Sequence, residues 1–458
     1  MGGIVGVENT QEASTLVAVG LMTLQHRGEE SSGISISGNG NMKTFRSMGL
    51  VSRLVNSDAL NQHAGTAAIG HVRYSSAAKS SLVNAQPFQM SCIHGQVSVS
   101  KNGNFTNFTK IKNMLLKRGA IFNHTSDTEI LLHLIAMSKG NFPEVIAKSM
   151  KMLDGAFSVV VLKDKMLIGA RDVSGIRPLV LGKIDNSYII SSETAAIEVM
   201  GGKYIRDIEP GEIVVIENGK IKKSFFYKKP VKQSTCIFEQ VYISRPDSIM
   251  FGQSVKEARV KMGAYLAEQM KGIKADIVMP VPDTGYFAAM GFSRASGILF
   301  EAGFVRNHYL GRSFIKPSQN LRDMTAKLKL RPIKDVVNGK NIVLIDDSIV
   351  RGTTSRRMIK MLKDAGVKKI HLALSCPPVI APCYYGIDTP LKEHLIAANQ
   401  SAEQIRKYLE IESLTFLSLE NLIKSCCASE KCKDVFCAAC FSRKYPTKIS
   451  KDTYREMA

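Results

Sequence analysis

Long hydrophobic runs are the first thing missing: nowhere do about eighteen apolar residues follow one another, the length a membrane-crossing helix needs. The N-terminus has neither the basic stretch nor the apolar core of a secretory signal, so the chain reads as cytoplasmic, with no membrane partner. Myristoylation is excluded as well, because position six holds Gly6 where that signal requires Ser or Thr. Recognisable nucleic-acid-binding motifs, internal repeats and low-complexity tracts are lacking too. The net charge of +21 therefore implies no nucleic-acid partner. Its densest group, Lys220, Lys222, Lys223, Lys228, Lys229 and Lys232, flanks a linker, where a solvated face accounts for it. A phosphorylated small substrate suits such a charge equally.

Cysteine is scarce where it matters most. Cys92 alone lies in the first half, where it reads as a small buried residue, and the chain's nine cysteines without a secretory signal point to metal ligands or buried thiols rather than disulfides. What is present is ordinary for a globular protein: 458 residues, 45% of them hydrophobic, enough for two or three domains.

Residues 1–228 are rich in apolar runs, such as Phe157 to Leu162 and Ile213 to Ile216, interrupted by Gly and Asn and suited to strands, and Glu217-Asn218-Gly219-Lys220 is a hairpin turn. Apolar spacings of three and four predict helices over Thr10 to Gln25 and Asp127 to Lys139. This half is α+β. A Lys, Pro and Ser-rich linker from Tyr227 to Thr235 leads to Cys236, after which strands (Asp276 to Pro280, Ile342 to Ile345) alternate with helices (Ser355 to Lys363), the grammar of a parallel α/β domain. We delimit that domain at 236–400, with a helical, cysteine-rich extension over 401–458.

The stretch from Asn341 to Ser355 carries the most chemistry. Behind a buried strand come Asp346 and Asp347, then Arg351, Gly352, Thr353, Thr354 and Ser355. Gly352 lets backbone approach a ligand, the three hydroxyls and the free amides of the next helix favour a phosphate, and the two carboxylates suit ribose hydroxyls and a magnesium ion. The stretch resembles the phosphoribosyl pyrophosphate loop of type I phosphoribosyltransferases. Pro282-Asp283-Thr284-Gly285 looks like that family's pyrophosphate-side loop, with Thr284 beside the magnesium, and Asn307 to Ile315 with Arg322 to Lys329 looks like its closing flap.

The two halves together resemble the glutamine phosphoribosylpyrophosphate amidotransferase family. The matching segments are Gly3-Ile4-Val5-Gly6, His26-Arg27-Gly28, Gly70-His71-Val72-Arg73-Tyr74, Asn84-Ala85-Gln86-Pro87-Phe88, Asn102-Gly103-Asn104 and Ser126-Asp127-Thr128-Glu129. Arg171-Asp172, Arg177-Pro178-Leu179, Phe238-Glu239, Arg245-Pro246-Asp247-Ser248 and Gly386-Ile387-Asp388-Thr389-Pro390 extend the match. The resemblance implies an αββα N-terminal-nucleophile sandwich followed by a type I phosphoribosyltransferase domain. It implies 5-phosphoribosylamine formation in purine biosynthesis, magnesium, and a homo-oligomer, a tetramer.

The resemblance also exposes a departure. The family's processed N-terminal residue is a cysteine nucleophile, whereas Gly2 stands here and offers an amine but no thiol. Arg73 and Asp127 occupy the family positions that grip the carboxylate and ammonium of glutamine, and Asn102 with Gly103 its oxyanion hole. Lys101 stands where the family has His, and Glu29 where it has Gln. Free ammonia, supplied directly or by a separate glutaminase, is the expected nitrogen donor; a non-catalytic paralogue that binds phosphoribosyl pyrophosphate or nucleotides is the alternative. The resemblance further implies that Cys236, Cys383, Cys437 and Cys440 hold a four-iron, four-sulfur (4Fe-4S) cluster. A local zinc site from Cys427, Cys432, Cys437 and Cys440 is the competing arrangement.

Overall fold

The computed structural model describes residues 2–56, 63–74, 80–307, 330–389, 391–427, 432 and 434–449. All but Asn307 of the expected flap therefore lies outside the described residues.

Among the described residues the first half contains thirteen strands. They are β1 (Gly2–Glu8), β2 (Ser31–Gly38), β3 (Asn41–Met48), β4 (Ala67–Arg73), β5 (Phe88–Cys92), β6 (Gly95–Phe105) and β7 (Gly155–Lys163). The remainder are β8 (Met166–Arg171), β9 (Val180–Ile184), β10 (Ser187–Ser191), β11 (Lys203–Asp207), β12 (Glu212–Glu217) and β13 (Lys220–Phe226). One sheet runs β11-β9-β10-β1-β4-β2-β3 and the other β13-β12-β8-β7-β6-β5. The turn between β12 and β13 places Asn218 at φ 53° and Gly219 at φ 68°, the left-handed pair a tight hairpin needs.

Alternation along the strands explains the layering. Ile4, Ile69, Val160, Leu162, Val214 and Ile216 fill the space between the sheets. Their neighbours point outward: Val5 and Val7 meet helix α1 (Ala13–Thr23) through Val17 and Leu21. On the other sheet Val159, Val161, Ile213 and Val215 pack on the layer formed by α2 (Phe108–Lys117), α3 (Thr128–Met137) and α4 (Phe142–Lys151). The result is an αββα sandwich.

Beyond the linker come β14 (Thr235–Cys236), the hairpin β15–β16 (Ile249–Met250, Gln253–Ser254), β17 (Ile277–Pro280) and β18 (Leu299–Phe300). A second hairpin, β19–β20 (Phe304–Arg306, Leu330–Pro332), precedes β21 (Asn341–Asp346), β22 (Lys369–Leu374), β23 (Ser413–Phe416) and β24 (Phe436–Cys437). A parallel five-stranded sheet runs β18-β17-β21-β22-β23. Ile342 and Leu344 of its central strand face α7 (Thr353–Asp364) through Ile359 and Leu362. Val343 and Ile345 face α5 (Val255–Gln269) and α6 (Tyr286–Ser296) on the opposite side. The sheet runs past the expected boundary at residue 400, because β23 pairs with β22 as its edge strand. Sequence placed that segment in a helical extension, yet β23 lies there between the helices α8 (Ala402–Leu409) and α9 (Leu419–Cys426). An edge strand of four residues leaves too short a pattern to separate from its flanking helices.

Candidate active sites

The first site forms where β1, β4 and β6 meet. Gly2 opens β1 opposite Arg73, and its amide donates to the Asn102 Oδ1 at 3.3 Å. Asn102 is fully buried, and its Nδ2 has no partner among the described residues, a donor ready for developing negative charge. Gly103 adopts φ 113°, and a Cβ there would fall 2.0 Å from the Ala156 carbonyl, so only glycine fits. Gly2, Asn102, Gly103 and Arg73 are thus drawn together, and Asp127 joins them through the Phe105 amide, which donates to its Oδ2 at 2.8 Å.

The occupants of this site were not expected. A Cβ on Gly2 would lie 2.7 Å from His71 Nε2 and 2.9 Å from the Val72 carbonyl. His71 is buried with Nε2 3.0 Å from the Lys101 carbonyl, and burial, with the Arg73 guanidinium beside it, pushes its pKa down to about 3, so the ring is neutral. Lys101 was recognised as a departure, but its position was not. Its ammonium donates to Asp127 Oδ2 at 2.7 Å and to the Gly103 carbonyl at 2.6 Å. Arg73 faces Glu30 at 3.5 Å.

The second site lies at the C-terminal ends of β17 and β21. These strands pair in register from Ile277 with Ile342 to Pro280 with Ile345, which sets their loops side by side. The Thr284 hydroxyl donates to Asp347 Oδ2, and Ser348 donates to Asp347 Oδ1 at 2.6 Å. Burial pushes the Asp346 carboxyl well above the usual range, and the Asp347 charge beside it adds to this; burial raises Asp347 as well. Two desolvated carboxylates with surplus negative charge fit a hard divalent cation. Arg259, on the buried face of α5, partly offsets Asp347; burial brings Arg259 down to about 10, against the raising pull of the Asp347 and Glu193 charges. An arginine in register with Val255, Ala258 and Met262 was the available signal for it.

Gly352 sits at φ 77° ahead of α7, whose first turn carries no acidic residue. Thr353 and Thr354 are exposed there and Ser355 is buried. Arg351 is exposed, and its charge is felt by Asp388. The two sites adjoin: a Cβ on Gly386 would meet the Cα of Gly103 at 2.9 Å.

Between the halves lies a buried ion network that sequence motifs contained but did not explain. Arg27 donates to Glu193 Oε1 at 2.5 Å, Glu239 Oε1 at 2.8 Å and the Gly2 carbonyl at 3.1 Å. Arg177 donates to Glu239 Oε1 at 3.0 Å and the Tyr385 carbonyl at 2.9 Å. Burial alone would raise Glu193, but His26 and Arg27 hold it well below the usual carboxylate range.

Three separate segments bring the four expected cluster cysteines into one neighbourhood. β14 pairs with β24 so that Cys236 lies opposite Cys437, and the Cys440 carbonyl accepts from Ile380 and Ala381, just before Cys383. Burial pushes Cys236 up to about 11, and burial together with Cys236, Cys383 and Cys437 pushes Cys440 well above its ordinary value. Among the described residues no group of three or more His, Cys, Asp or Glu side chains is already arranged to hold a metal ion. The Cys427 and Cys432 sulfurs approach each other and supply two of the four ligands of the competing zinc set.

A family model described as a glutamine amidotransferase domain matches residues 71–199. The chain is 43% identical to amidophosphoribosyltransferase 2, chloroplastic, of Arabidopsis thaliana, over 98% of this chain and 80% of that protein. It is 41% identical to the amidophosphoribosyltransferase of Archaeoglobus fulgidus, over 98% of each. The solved glutamine phosphoribosylpyrophosphate amidotransferase of B. subtilis, complexed with ADP and GMP, superposes with a TM-score of 0.92 at 40% identity, covering 98% of both chains.

Proposed function

Because the chain belongs to the amidophosphoribosyltransferase family, a family of glycosyltransferases in purine biosynthesis, we propose that it makes 5-phosphoribosylamine with free ammonia, not glutamine, as nitrogen donor. The single observation that carries the choice of donor is Gly2 at the nucleophile position, with His71 Nε2 2.7 Å from where a Cβ would stand. Without a thiol, no acyl-enzyme forms, although the Asn102 amide is poised as an oxyanion donor.

In the second site, the amides and hydroxyls from Gly352 to Ser355 hold the 5-phosphate at the N-terminus of α7. Asp346 and Asp347 accept from the ribose hydroxyls, and Arg351 supplies a positive rim. Thr284, Asp346 and Asp347 would hold magnesium, which when bound neutralises the departing pyrophosphate. Ammonia attacks C1 as the bond from C1 to the pyrophosphate oxygen breaks, the electron pair leaves with pyrophosphate, and a proton leaves the new amine. Holding the sugar phosphate in one pose is the chain's main contribution.

The neighbourhood of Cys236, Cys383, Cys437 and Cys440 supports a structural 4Fe-4S cluster that clamps the C-terminal segment to both halves. A first half spanning 1–228, a second that starts at 236 and runs through β23 at Phe416, a homotetrameric assembly and a cytoplasmic location belong to the same reading. No helix among the described residues is long and apolar enough to cross a membrane. The test is pyrophosphate release from phosphoribosyl pyrophosphate and magnesium with ammonium chloride or with glutamine. Turnover is expected with ammonium alone; equal turnover with ammonia-free glutamine refutes the reading.

A further inference from the structure

Lys101 is 3% exposed, on a strand whose outward positions are otherwise apolar: Val97 and Val99 precede it in the same alternation and lie in the core beneath α3. A lysine buried there would be costly unless its ammonium were fully satisfied. It is satisfied by a set built for a primary ammonium. Asp127 Oδ2 accepts at 2.7 Å, the Gly103 carbonyl accepts at 2.6 Å, and the Phe105 ring lies 4.6 Å away. Asp127 is itself fixed, because Phe105 N also donates to its Oδ2 at 2.8 Å. Next to this cage stands Arg73, near enough for the Asp127 charge to act on it, and facing the Glu30 carboxylate at 3.5 Å. An ammonium acceptor beside a guanidinium is the recognition set for the two charged ends of an α-amino acid. Here a lysine and a glutamate of the chain itself stand at both.

We propose that Lys101 is a built-in occupant of this ammonium cage, and that it keeps free α-amino acids, glutamine included, out of the N-terminal half. The inference deepens the ammonia-dependent reading and rests on it only for the expectation that glutamine is not used. It makes Lys101 a specificity-determining residue: the missing thiol removes the chemistry, and Lys101 removes the substrate. The cage becomes a structural cross-link between β6 and the start of α3, while Asn102, the next residue of β6, keeps its bond from the Gly2 amide of β1.

Equilibrium binding on the full-length protein tests this. Titration of the unmodified protein with L-glutamine should give no saturable heat, and saturable binding at submillimolar glutamine overturns the proposal even if ammonia-dependent turnover is intact. Lys101→Ala should gain a glutamine-dependent rise in melting temperature, with affinity at least about tenfold above the unmodified protein. It should gain a similar rise with n-butylammonium and none with n-butanol, and Asp127→Asn added to Lys101→Ala should abolish both. A folded Lys101→Ala protein indifferent to both L-glutamine and n-butylammonium overturns the proposal. If Lys101→Ala does not fold, the titration of the unmodified protein decides alone.

Discussion

Placing a cysteine at position 2 should not create a glutaminase, and its cost can be worked from the packing around that residue. In Gly2→Cys the new Cβ stands 2.7 Å from His71 Nε2, 3.1 Å from its Cε1 and 2.9 Å from the Val72 carbonyl. Those are overlaps with a ring that is 2% exposed, so no open space receives it. Overpacking of this kind costs about 1–3 kcal/mol. Displacing the ring also breaks its contact with the Lys101 carbonyl, worth about 0.5–1.5 kcal/mol more. A total of about 2–4 kcal/mol corresponds to a melting temperature lower by roughly 5–15 °C in a domain of this size. Gly2→Ala should lose about as much, since the clash arises at Cβ. Thermal unfolding of both variants, with removal of Met1 verified by mass, measures the loss. Glutamate release from glutamine should stay at background in Gly2→Cys, because Lys101 remains on Asp127. Unchanged melting of both variants, or brisk glutamate release by Gly2→Cys alone, would refute the reasoning.

Other outcomes follow from the second site and the ion network. Asp347→Asn should cut pyrophosphate release by at least about a hundredfold. It should also raise the melting temperature at pH 8, with the gain shrinking toward pH 4: the raised carboxyl pKa values lend stability that is complete below the unfolded value and lost as pH rises through the folded one. A variant less stable at pH 8 would contradict this sign. Gly352→Ala places a Cβ 2.8 Å from Ile396 Cδ1 at φ 77°, and should lower kcat/KM for phosphoribosyl pyrophosphate by about tenfold to a hundredfold, read from steady-state rates. Glu239→Gln leaves Arg27 and Arg177 under-compensated in a buried setting, and denaturant unfolding should show a loss of about 3–5 kcal/mol. Anaerobic purification should give about four irons per chain with visible absorbance if the cluster reading is right; one zinc and no iron would sink it.

The sequence by itself determined whatever depends on short stretches of chain. The strands at Phe157 to Leu162 and Ile342 to Ile345, the Asn218-Gly219 turn, and the strand-to-helix turn at Gly352 were legible because apolar runs and turn chemistry are local. So was the glycine at position 2, which needs no fold to lack a side chain. Tertiary structure alone decided which distant groups meet. Cys236 faces Cys437 only because β14 and β24 run parallel, and Arg27 reaches Glu193 and Glu239 across more than 160 and 200 residues of chain. Lys101 is the clearest case. As a residue type it signals only a departure from pattern, whereas burial forces its ammonium to find partners, and the fold offers Asp127 and the Gly103 carbonyl. Covalent neighbours carry local chemistry, but a buried charge is settled by whatever the packed chain sets within about 3 Å of it.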